Sequence, residues 1–71
     1  MDQEHLTYMA EQIARNFAVQ GEEQAVKATA QHIREFWDPR MKAAILAADR
    51  STLSPIVCSA VERLAQHQIV K

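Results

Sequence analysis

Three histidines, His5, His32 and His67, and a single cysteine, Cys58, are the side chains of this sequence best suited to metal ligation or nucleophilic catalysis. No two histidines stand four residues apart, the spacing that sets two imidazoles on one helical face, and no His-Glu-x-x-His segment occurs. A hydrolytic zinc site is therefore not encoded in a local motif. Cys58 falls in the first turn of an expected helix, a position that favours thiolates in general, yet no histidine is evidently paired with it. It reads better as a small apolar residue beneath Leu53. Loops that cradle phosphates need several glycines, and Gly21 is the only one in the chain. The charged pairs Glu11/Arg15 and Arg34/Asp38, with Gln31/Glu35 beside them, have the i,i+4 spacing of solvent-facing helix neighbours, each worth a few tenths of a kcal/mol. None of them calls for catalysis.

Recognition chemistry is better represented. Tyr8 points roughly 160° away from the apolar stripe of its helix, and Leu46 roughly 150° from the stripe of its own, at about 100° per residue. Trp37 stands at an expected helix break, close to Arg40. Tryptophan, tyrosine and arginine are the residue types that dominate interface energetics.

The elements that must position these groups are helices. With one Gly and two Pro the chain offers few turn signals. Leu6, Met9, Ala10, Ile13, Ala14 and Phe17 recur at spacings of three and four and predict a first helix, closed by Gly21 in a left-handed cap. Glu22 and Glu23 suit the positive end of a second helix, whose Val26, Thr29, Ala30, Ile33, Phe36 and Trp37 form an arc of roughly 140°, wide enough for two neighbours. Asp38-Pro39 reads as a cap followed by proline at the first helical position of a third helix with Met41, Ala44, Ile45 and Ala48 inward. Ser54-Pro55 repeats the device, with Leu53 stapled onto Cys58, and opens a fourth helix on Ile56, Val57, Ala60, Val61 and Leu64 that continues less regularly to Ile69 and Val70. The expected fold is all-α, a compact bundle of four short helices in one domain spanning 1–71.

A 71-residue chain of this size is marginally stable alone, and one cysteine supplies neither a disulfide nor a cysteine-based zinc site, so association with another chain is the natural remedy. A formal net charge of −1 argues against a dedicated nucleic-acid binder. Apolar runs fall far short of the roughly 20 residues that span a bilayer, and the acidic start Met1-Asp2-Gln3-Glu4-His5 is unlike a secretion signal, so a cytoplasmic location without membrane contact is expected.

The segment His32-Ile33-Arg34-Glu35-Phe36-Trp37-Asp38-Pro39-Arg40-Met41-Lys42 resembles the central motif of the delta subunit of soluble NAD-dependent formate dehydrogenases. Met9-Ala10-Glu11-Gln12-Ile13-Ala14-Arg15-Asn16-Phe17 is similar to that family's first helix, and Ile56 to Leu64 to its last. The connection from Ala48 to Leu53 looks shorter and less glycine-rich than in many relatives. The resemblance implies a noncatalytic accessory subunit that supports assembly, cofactor loading or stability of a large cytoplasmic formate dehydrogenase. It implies that the large catalytic subunit is the partner, that a molybdenum or tungsten pterin, iron–sulfur clusters and flavin reside in the partner subunits, and that this chain binds no cofactor. One cysteine agrees with that, because clusters are held by about four thiolates. Within the motif Asp38, Pro39, Phe36 and Met41 are assigned to folding. His32, Arg34, Trp37 and Arg40 are assigned to partner binding, together with Tyr8 and Leu46. The alternative is a self-associating interaction module unrelated to formate oxidation, motivated by the wide arc of the second helix. A helix-turn-helix DNA binder ranks below both, given the acidic balance, and an enzyme acting alone ranks last.

Overall fold

The periodicity resolves into four α-helices in the computed structural model, which describes the backbone of residues 3–69 and side chains as far as residue 66. They are α1 (Gln3–Phe17), α2 (Glu22–Phe36), α3 (Pro39–Leu46) and α4 (Pro55–Ile69). Single turns of 3-10 helix at Ala18–Gln20 and Arg50–Thr52 fill the first and third connections. The side chains of His67 and Ile69, and all of Val70, lie outside the described residues.

Each helix end follows from its sequence. Asp38 is extended (φ −76°, ψ 170°), and its Oδ1 accepts the Met41 N–H at 2.9 Å, with Pro39 as the first helical residue of α3. Ser54 acts likewise for α4, its Oγ accepting the Val57 N–H at 3.3 Å. The Lys42 ammonium donates to the Arg34 carbonyl at 3.1 Å and so satisfies an acceptor in the last turn of α2. Gln3 Nε2 donates to the Ala44 carbonyl at 2.8 Å, joining the start of α1 to the end of α3. At Gly21 the expected cap is corrected. Its φ of 99° needs glycine, but ψ is 154°, outside the left-handed helical well, and the residue works forward as the cap of α2 by accepting the Ala25 N–H at 2.9 Å. A Cβ at this position would meet no atom within 4 Å, so backbone conformation alone demands the glycine.

Leu6, Ala10 and Ala14 of α1, Ala30 and Ile33 of α2, Ile45 of α3 and Val57, Ala60, Val61 and Leu64 of α4 are buried in one core, with Trp37 and Ala48 from the corners. The Cα radius of gyration is 10.9 Å, against about 11 Å for a compact chain of this length. The α2 arc does face two neighbours, and both belong to the same chain: α2 packs on α4 and on α1. The observation that motivated self-association is thereby accounted for within one molecule.

The aromatic pair at the end of α2 is inverted relative to expectation. Phe36, assigned to the core, is 71% exposed, whereas Trp37, assigned to the surface, is 5% exposed. Phe36 ends the helical register on the flank of the apolar arc. Trp37 leaves that register, adopting an extended backbone (φ −87°, ψ 140°) while its N–H still donates to the Ile33 carbonyl at 3.0 Å. The break forced by Pro39 carries the larger ring into the core. Leu46 is a second correction: expected off the stripe, it is half-buried against the core. Only eight residues long and in contact with both α1 and α4, α3 buries more than one stripe.

Candidate functional site

Phe36 stands one helical turn after His32, and the two rings pair with centroids 4.9 Å apart and planes tilted by 39°. His32 is half-buried beneath it. Beyond the extended pair Trp37 and Asp38, Arg40 is exposed in the first turn of α3. An aromatic edge and a guanidinium thus border a corner held rigid by the Asp38 cap and by the Trp37 indole anchored in the core.

The opposite flank of α2 differs. Arg34 lies roughly 160° around the helix from both His32 and Phe36, and within roughly 20° of Lys27. Lys27, Gln31 and Arg34, with Arg63 of α4, border an open groove of about 210 Å³ whose floor includes Ala30 and Leu64. Among the described residues no carboxylate lines it. Lys27 has a long ion pair to Glu23, 3.8 Å, one turn earlier.

The α3–α4 corner is held by Arg50. Its Nε bonds Glu62 Oε2 at 3.1 Å, and its Nη1 donates to the carbonyls of Leu46 and Ala48 at 3.0 and 2.9 Å. One guanidinium therefore collects free carbonyls at the end of α3 and ties them to α4, which keeps the short Ala48–Leu53 connection rigid. At its start the Asp49 carboxylate accepts the Ser51 N–H at 3.0 Å, and hydrogen bonding from Ser51 holds its pKa below the ordinary carboxylate value.

The six residues assigned to partner binding do not form one patch. Trp37 is inside, which removes it as a surface anchor, and Leu46 is half-buried. His32 and Arg34 lie on opposite flanks of α2. Tyr8 is 59% exposed, as expected, and its hydroxyl accepts from Gln12 Nε2 at 2.7 Å. Arg34 and Arg40 are exposed. Phe36 is assigned above to folding, and Lys27 and Arg63 to no site. The i,i+4 spacing of His32 and Phe36 was a readable signal for the first, whereas the approach of Arg63 to α2 appears only in the packed molecule.

Of the spaced pairs, Gln31 donates to Glu35 at 3.1 Å as expected, but Glu11 turns away from Arg15 to the Ser54 backbone. Among the described residues no three His, Cys, Asp or Glu side chains gather as a metal site, and no helix is long and apolar enough to cross a membrane. Cys58 is a free, half-buried thiol. Neither a curated protein nor a solved structure matches the chain. A family model does match: that of the NADH-dependent formate dehydrogenase delta subunit, FdsD, over residues 5–61 of the 71. The match takes in the His32–Lys42 segment and runs from α1 into α4, so the paired aromatics, the capped corner and the whole of α2 and α3 lie within the matched range, and the chain is a member of the formate dehydrogenase delta-subunit family.

Proposed function

We propose that this chain is a noncatalytic accessory subunit of a cytoplasmic, NAD-dependent molybdenum or tungsten formate dehydrogenase, and that it docks on the large catalytic subunit through the α2–α3 corner. Family membership supplies the context. The observation that carries the docking surface is Phe36, a large aromatic 71% exposed and paired with the His32 ring. Rigid aromatics are frequent interface anchors. Arg40 is placed to meet a carboxylate in a two-point contact that lysine does not reproduce. His32 and Arg40 thus keep their assignment to the docking contact. In this reading the pterin metal centre, iron–sulfur clusters and flavin belong to the partner subunits, and the delta chain supports assembly, cofactor loading or stability of the whole.

Co-expression with the other subunits tests it. Phe36→Ala combined with Arg40→Ala is expected to lower recovery of the delta chain with the complex, and the complex's metal content with it, while the isolated variant keeps its circular dichroism. Undiminished recovery and metal content would refute the docking surface.

A further inference from the structure

Among the large apolar side chains described, Val19 is the most exposed, at 89%. It stands in the 3-10 turn between α1 and α2, next to Ala18, which lines a cleft of about 300 Å³ together with Glu22, Ser54, Pro55 and Ile56. Ala18 and Pro55 are exposed and Ile56 is half-buried, so the lining is mainly apolar. Ser54 is occupied within the fold: its N–H goes to Glu11, and its Oγ and carbonyl accept the Val57 and Cys58 N–H groups. Glu22 is the charged group of the lining, and its carboxylate has neither an ion pair nor a hydrogen bond among the described residues.

Helix capping explains Ser54-Pro55, and the positive end of α2 suits Glu22, yet neither calls for an exposed valine beside them. A single exposed valine is ordinary; one that adjoins an open apolar cleft forms a continuous surface with it. Every residue from Phe17 to Val26 and from Leu53 to Ser59 is described. Because α1 arrives at the cleft by its last turn and α4 leaves it by its first, Gln3 and Gln66 lie roughly 20 and 15 Å away along those helix axes.

Shape and charge together select the occupant. An aliphatic or aromatic side chain fills the cleft, and a lysine or arginine next to it pairs with Glu22. A second copy of this chain suits the surface less, since a symmetric contact brings another Glu22 toward the first. Arg15, in the last turn of α1, does not line the cleft. Glu22 and Phe36 stand at opposite ends of α2, roughly 21 Å apart along its axis, so a contact here is separate from the aromatic corner.

We infer that the cleft at Ala18, Glu22, Pro55 and Ile56, with Val19 beside it, receives a basic and apolar segment of the host complex, so that the delta chain is held at both ends of α2. The inference rests on the accessory-subunit reading.

The test is co-purification of the delta chain with the full complex. Val19→Asp removes the apolar contact and adds a carboxylate near Glu22, and it should weaken retention about tenfold. Glu22→Arg should weaken it about fivefold at low salt, with the difference from wild type closing as salt rises. Val19→Ile and Glu22→Asp should behave as wild type. Both positions are exposed, and circular dichroism of each isolated variant verifies the fold. Wild-type retention of Val19→Asp and Glu22→Arg, while the chain with Phe36→Ala and Arg40→Ala is lost, would overturn the cleft contact and leave the accessory reading standing. Failure of the wild-type chain to co-purify at any salt would overturn both. Sedimentation of the isolated chain as a dimer that Val19→Asp dissociates, with retention in the complex unchanged, would assign the cleft to a second copy and likewise overturn the proposal.

Discussion

Glu11, on α1, accepts a hydrogen bond at 2.8 Å from the backbone N–H of Ser54, 43 residues away. Ser54 caps α4, and in the usual capping box the third helical residue reaches back to that N–H with a Glu or Gln side chain. Here the third helical residue is Val57, which has no acceptor in its side chain, and a carboxylate from another helix takes the role. The bond closes the reciprocal cap through tertiary structure and sets the start of α4 against α1.

Replacing Glu11 by Ala should therefore lower stability by about 1–2 kcal/mol, as expected for a charged acceptor taken from a partly buried donor. Glu11→Gln should recover part of the loss. Urea denaturation at neutral pH measures both, and an unchanged midpoint for Glu11→Ala would show that the contact contributes nothing.

The inverted aromatic pair makes a sharper contrast. Trp37→Ala empties a core site and should cost about 3–5 kcal/mol, enough to unfold most molecules of a marginal small domain. Phe36→Ala, on the surface, should change stability by no more than about 0.5 kcal/mol. The tryptophan emission of the native chain reports on the same point: a blue-shifted maximum is expected, and emission resembling that of the denatured chain would place the indole in water.

Thr29 is fully buried, and its hydroxyl has no hydrogen-bond partner among the described residues. A buried unsatisfied hydroxyl is destabilising, and valine has nearly the same shape. Thr29→Val should raise stability by about 1 kcal/mol, read as a higher melting temperature with the helical signal unchanged. A lower melting temperature would mean that the hydroxyl is satisfied in solution.

Asp49 supplies a pH dependence of defined sign. Backbone and side-chain hydrogen bonds from Ser51 lower its pKa in the folded chain, so the folded state favours the ionised form. Its contribution is complete above the unfolded carboxylate value of about 3.9 and is lost as pH falls through the lower folded value. An NMR titration should find the Asp49 carboxyl midpoint below that of an unstructured aspartate. Asp49→Asn should diminish the acid-side loss of stability, and an unaltered acid limb would contradict the assignment.

Local signals determined much of this protein. The stripes of α1 and α4, the break before Asp38-Pro39 and the two proline-preceded caps were legible because a helical period, a fixed proline φ and a side-chain cap act within a few residues of sequence. Family membership was legible too, in the His32–Lys42 segment. Packing decided the rest. Where α2 stops, adjacent Phe36 and Trp37 compete for one inward position, and the extended turn admits the indole; a helical wheel has no information once the chain leaves the helix. Gly21 serves both sides of its turn, its N–H closing the 3-10 turn on the Ala18 carbonyl and its own carbonyl accepting the Ala25 N–H of α2, a division that its hydrogen bonds and not its residue type decide. Glu11 meets Ser54, and Arg63 comes to line one groove with Lys27 and Arg34, only after the helices assemble. Contacts of that kind join residues with no periodic relation along the chain, so their geometry exists only in three dimensions.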